Sequence, residues 1–117
     1  MDIESYRDYC LALPGVTEDF PFNETALVFK VMGKMFALTD VDKFESINLK
    51  CDPTRAIELR EEYEEIKPGY HMNKKHWNTI SVSGSLGDDL ILELIKHSYD
   101  LVVEKLTTKE KARLKTG

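Results

Sequence analysis

Cysteine is scarce in this chain, with only Cys10 and Cys51, and no apolar run nears the roughly 20 residues that a membrane helix needs. Two thiols cannot make a disulfide framework, and they fit a reduced compartment. The opening residues, Met1-Asp2-Ile3-Glu4, lack the basic and apolar regions of a secretory signal. A cytoplasmic protein without membrane attachment is expected. Arginine is scarce as well, and Arg7, Arg55 and Arg60 all fall in acidic stretches. Base-edge reading of guanine usually employs arginine, so any nucleic-acid contact here should run through lysine and phosphate instead. No Walker-type or dinucleotide-binding glycine pattern is present, and no glycine elbow surrounds a serine. Ser81, Ser83 and Ser85 stand near Asp88 and Asp89, but nothing fixes a base and an orienting acid beside them. The chain is expected not to be an enzyme and to need no cofactor.

The 117 residues suit one domain spanning 1–117, with enough chain to bury a core unaided. The net charge of −5 conceals a pattern. Residues 1–25, 53–65 and 88–104 are acidic, whereas 66–87 carry a net +3 and 105–117 a net +4. Bulk charge excludes a protein that coats nucleic acid over its whole surface. A polyanion would have to meet the 66–87 segment and the basic tail, with the acidic helices turned away.

Hydrophobic spacing gives the element order α-β-β-β-α-β-α-α. Residues 2–13 read as a helix capped by Asp2, with Ile3, Tyr6, Cys10 and Leu13 on one face. Val16–Glu24 reads as an extended loop with Phe20 and Phe22 as anchors. Ala26–Val31 and Met35–Thr39 flank a hairpin whose Gly33 supplies a positive φ. Ser46–Cys51 alternates, with Ile47, Leu49 and Cys51 inward and Ser46, Asn48 and Lys50 in water. Asp52-Pro53 starts a second helix with a stripe of Ala56, Leu59, Tyr63 and Ile66. Thr79–Ser83 reads as a strand. Asp88 or Asp89 should cap a long helix to about Leu106, whose small Ser98 admits a close neighbour, and Thr107-x-x-Glu110 is a capping box for a short basic helix. The expected fold class is α+β, with helices on one face of an antiparallel sheet.

One stretch, Lys67 to Thr79, holds the single tryptophan, two of the three histidines and three lysines, with no acid. His71 and His76 lie five apart, which is neither helical nor finger spacing, so ordinary loop hydrogen bonds explain them better than a metal site. Both cysteines read as small buried hydrophobes. Trp77 has two readings: a packed anchor whose indole N–H finds a carbonyl, or an aromatic contact flanked, with Tyr70, by lysines that meet phosphates. The basic tail reads most simply as a solvated helix end.

Several motifs carry a resemblance. Leu13-Pro14-Gly15-Val16 with Asp19-Phe20-Pro21-Phe22 is one, and Phe29-Lys30-Val31 with Gly33-Lys34-Met35-Phe36-Ala37-Leu38 is another. Leu49-Lys50-Cys51-Asp52-Pro53, Pro68-Gly69-Tyr70-His71-Met72-Asn73-Lys74-Lys75-His76-Trp77-Asn78-Thr79 and Ser98-Tyr99-Asp100-Leu101-Val102 complete the series. Over essentially its whole length the chain resembles the MmcQ/YjbR family of small bacterial proteins. The resemblance implies a CyaY-like fold and a "double-wing" DNA-binding arrangement. In that arrangement Lys67, Tyr70, Asn73, Lys74, Lys75, His76 and Trp77 would form one contact surface, and Lys30 and Lys34 beside the hairpin would form the second wing. A protein or a small anionic ligand bound through the same surface is the alternative. Frataxin-type relatives bind iron through an acidic first helix, but Asp2, Glu4 and Asp8 around Arg7 are too sparse for that.

Overall fold

The structure, a computed structural model, describes residues 1–70 and 72–116. Helix α1 (Ile3–Ala12) starts where the Asp2 carboxylate accepts the Ser5 N–H at 2.8 Å. It is followed by β1 (Val16–Asp19), β2 (Ala26–Val31), β3 (Lys34–Asp40) and β4 (Ser46–Lys50). Helix α2 (Pro53–Glu62) has Asp52 as its cap, and β5 (Ile66–Pro68) and β6 (Trp77–Ser81) come next. Helices α3 (Asp88–Glu104) and α4 (Thr108–Thr116) end the chain. Thr107 and Glu110 close the expected capping box, each accepting the other's backbone N–H at 3.0 and 3.1 Å.

All six strands join one antiparallel sheet in the order β1-β2-β3-β4-β6-β5. Two strands were not foreseen. β1 lies in the stretch expected as a loop, because four residues with a single branched apolar side chain give too short an alternation to read. β5 begins at Ile66, which helical spacing had placed on α2. In fact α2 ends at Glu62, and Ile66 reaches the core from a strand opposite Ile80. β6 also starts two residues earlier than expected, which puts Trp77 inside the sheet. The α3 cap is Gly87, with no side-chain cap bond, so Asp88 and Asp89 sit in the first turn instead.

Because side chains alternate along a strand, the register assigns each one to a face. Leu27, Thr39, Ile47, Ile80 and Ile66 line up across one face, as do Phe29, Ala37, Leu49 and Asn78. The helices cover this face, contributing Tyr6, Cys10, Ala56, Leu59, Ile91, Leu94, Ile95, Tyr99 and Val102 to a single core. Val28, Leu38, Asn48, Thr79 and Lys67 line up across the opposite face, which is free of helices among the described residues.

Two irregularities shape the site. The β2–β3 loop is Met32-Gly33, both at positive φ (51° and 77°), the conformation of a tight hairpin turn. A bulge where Phe29 gives way to Lys30 makes Phe36 an extra residue in β3, so Phe36 and Ala37 are both buried. The β3–β4 pairing stops at Ala37 and Leu49. Beyond it the Ser98 hydroxyl donates to the Phe36 carbonyl at 2.6 Å and accepts the Lys50 N–H at 2.9 Å. Ser98 thus replaces a missing strand bond and pins the end of β4.

Candidate functional site

The segment between β5 and β6 is folded back onto the sheet. Gly69 N–H donates to the Trp77 carbonyl at 2.8 Å, and Tyr70 N–H donates to Thr79 Oγ1 at 2.9 Å. A Cβ on Gly69 would sit 2.8 Å from the Trp77 Cβ and 3.0 Å from the Trp77 carbonyl oxygen, so only glycine permits this approach. The Asn73 carbonyl accepts the N–H groups of His76 (3.2 Å) and Trp77 (2.9 Å), and its side chain accepts that of Lys75 at 2.9 Å. From α2, the Arg60 guanidinium donates to Asn78 Oδ1 at 2.6 Å, to the Trp77 carbonyl at 3.3 Å and to the Lys74 carbonyl. Arg60 therefore clamps the island to the helix layer.

The site residues expected from sequence do not all gather in one place. Trp77 is only 6% exposed, as a packed anchor would be, but no indole N–H bond to a carbonyl is found among the described residues, and it lies outside the contiguous core on the helix-free side. The Lys74 ammonium turns back to the Gly69 carbonyl at 3.1 Å, while Lys75 is exposed. Asn73 is exposed and its side chain also shapes the loop, accepting the Lys75 N–H. Lys67 stands in a separate cleft with Glu45, Glu64 and Glu65, which offset its charge. Lys30 lies 3.5 Å from Asp19, and Lys34 lies 3.4 Å from Glu110. Exposed ion pairs like these are worth at most about 1 kcal/mol and can be exchanged for a stronger anion. His71 lies outside the described residues.

A different cluster forms at this end of the sheet. Lys34 from β3, Lys50 from β4 and Lys105 just after α3 line a groove of about 420 Å³ together with Met35 and Trp77. Burial, and then the neighbouring Lys105 charge, hold the Lys50 ammonium below its usual pKa. Neither Lys50 nor Lys105 has an acidic partner among the described residues. A smaller recess of about 150 Å³ adjoins, lined by His76, Cys51, Asp52 and Pro53 along with the same two lysines. Sequence reasoning missed Lys50 and Lys105 as a pair, because they are 55 positions apart and each resembled an ordinary solvated charge. The alternation that put Lys50 on the wet face was the one available signal.

On the helix-free face itself lies a cleft of about 390 Å³. Its floor includes Ala26, Leu38 and Asn48, its walls include Phe22 and Tyr70, and Met35 lines both this cleft and the lysine groove. The chemistry available to the thiols is limited. Burial pushes Cys10 up to about 12 and Cys51 up to about 11, so both remain protonated at neutral pH. His97 Nε2 accepts the Asp52 N–H at 3.2 Å, which requires a neutral ring. Among the described residues, no three His, Cys, Asp or Glu side chains group to hold a metal ion.

A family model described as YjbR matches residues 11–101. The chain belongs to the YjbR family. Uncharacterised protein YbdF of Escherichia coli O157:H7 is 37% identical over 97% of this chain and 94% of its own length. Uncharacterised protein YjbR of Escherichia coli K12 is 34% identical, covering 97% of each chain. Among solved structures, Deinococcus radiodurans protein DR2400, of domain family DUF419, superposes with a TM-score of 0.89 and is 42% identical. That match covers 96% of this chain and 86% of the other. A Pseudomonas syringae protein superposes with a TM-score of 0.74 at 30% identity, covering 86% of this chain and 98% of its own. The YjbR match takes in the island and Lys34 and Lys50, and it ends within α3, four residues before Lys105.

Proposed function

We propose that this protein is a non-enzymatic nucleic-acid-binding module that holds phosphates with lysines gathered at one end of its sheet. The observation that carries the reading is the convergence of Lys34, Lys50 and Lys105 around Trp77, with exposed Lys75 in the adjoining loop. Trp77 of the positive 66–87 segment and Lys105 at the start of the basic tail thus meet at one end of the sheet, beside Lys34 and Lys50. A desolvated lysine beside a second lysine raises the local positive potential, and an arriving phosphate relieves that repulsion. Met32-Gly33 keeps Lys34 at the tip of a rigid hairpin, and Ser98 fixes the backbone of Lys50, so the cationic set is largely preorganised. A cytoplasmic location suits two buried free thiols, and their protonated state favours binding over covalent chemistry.

Fluorescence anisotropy on labelled oligonucleotide across a salt series tests the reading. About four neutralised phosphates should give a slope of log K against log salt near −3.6 on duplex, and about −2.8 on single strand. Absence of saturable binding at low salt removes it. The concavity of the groove favours a second reading, in which a small phosphorylated ligand sits against Trp77. Displacement of the oligonucleotide by a nucleoside monophosphate at micromolar concentration would favour that ligand over a polymer.

A further inference from the structure

We infer that the nucleic acid this surface takes is single-stranded, with its bases laid in the cleft on the helix-free face and its phosphates on the lysine groove. The inference rests on the nucleic-acid reading above and extends it to the class of strand. Phe22 and Tyr70 are 65% and 70% exposed, among the few large hydrophobic side chains left open to solvent, and both line one cleft. Asn23 Oδ1 accepts the N–H groups of Thr25 and Ala26 at 2.9 and 2.8 Å, so the loop that presents Phe22 is held in shape. Exposed rings beside lysines form the combination that takes up unpaired bases: each base offers a π-face, and stacking does not depend on its identity.

A duplex has its bases already stacked on each other and presents only their edges, so it leaves the exposed rings of the cleft without a base face to meet. The cleft lining suits unpaired heterocycles. Leu38 and Met35 supply apolar contact, and the Asn48 side-chain nitrogen has no partner among the described residues while its oxygen accepts the Thr79 hydroxyl at 2.5 Å. Asp40 is the one acid on the lining, and its carboxylate accepts the Asp42 and Lys43 N–H groups at 2.9 and 3.4 Å. One carboxylate is compatible with neutral bases, whereas it would repel phosphates and so directs the backbone towards the far end. That end lies across Met35, where Lys34, Lys50 and Lys105 supply the opposite charge. Apolar cleft and cationic groove thus form one continuous track.

The test compares labelled oligothymidylate with a mixed-sequence duplex of equal length, for the wild type, Phe22→Ala and Phe22→Tyr. The single strand should bind about tenfold tighter than the duplex. Phe22→Ala should remove most of that advantage without changing duplex affinity or the salt slope, and Phe22→Tyr should restore it. Phe22 is exposed, so the circular dichroism spectrum and urea midpoint should stay unchanged. Equal affinity for both probes with no effect of Phe22→Ala overturns the single-strand inference but leaves phosphate binding standing. Failure to bind either probe at low salt overturns both.

Discussion

The two faces of this sheet are built from the same strands yet obey different rules. On the helix-covered face, Phe29 is fully buried edge-on to Tyr6, with ring centroids 5.5 Å apart, in a closed core where the Tyr6 hydroxyl and the Asn78 side-chain nitrogen are buried without a partner among the described residues. On the open face, the same strands mix apolar with polar side chains around a cleft, and a groove at the sheet's end runs between the strand lysines and the end of α3. Stability resides on the first face, and recognition is assigned to the second. The difference lies in what covers each face, since the strands and their register are common to both.

This contrast can be broken or sharpened by substitution. Phe29→Ala on the covered face should cost about 3–5 kcal/mol, and Leu38→Ala on the open face less than half of that, both read from urea denaturation. Equal losses would mean that the open face carries core stability. Arg60→Ala comes next, at roughly 2–3 kcal/mol, because a charged donor leaves three acceptors. Its signature should be local. Hydrogen exchange ought to quicken across 69–78 more than in β2 or α3, and uniform quickening would show that Arg60 supports the whole fold.

The smallest effect is a pH dependence. Burial, followed by the Arg55 charge, lowers the His97 pKa in the folded protein, and the Asp52 N–H bonds only its neutral ring. The unfolded chain therefore takes up that proton first. The His97 contribution should be complete above about pH 6.5 and should decline as pH falls through the lower folded value. His97→Gln should flatten the change in urea midpoint between neutral and mildly acidic buffer, and an unaltered change would assign it to another group.

Most of the architecture was legible in the sequence because its signals are local. Asp2 and Asp52 each cap the helix they precede, Gly33 lies at its hairpin, and Ile47 and Leu49 point inward. The missed strands failed for the same reason: β1 and β5, at four and three residues, are too short to show a period, and partners supplied from β2 and β6 define them. The site was legible only in part. The island between Lys67 and Thr79 was identified by composition, but composition does not give direction. Trp77 is packed on the helix-free side, the Lys74 amine folds back onto Gly69, and Lys67 lies among glutamates. Lys50 and Lys105 become a pair only when α3 docks across β4, and Arg60, which looked like one more charge on an acidic helix, proves to be the clamp.

The most direct test of the division between the faces is the salt slope of oligonucleotide binding for a Lys50→Gln, Lys105→Gln double variant beside Lys67→Gln. The double variant should weaken binding and flatten the slope by about 2 units on duplex, whereas Lys67→Gln should match the wild type. An unchanged slope in the double variant, or a loss centred on Lys67, would contradict the placement of recognition at the lysine groove.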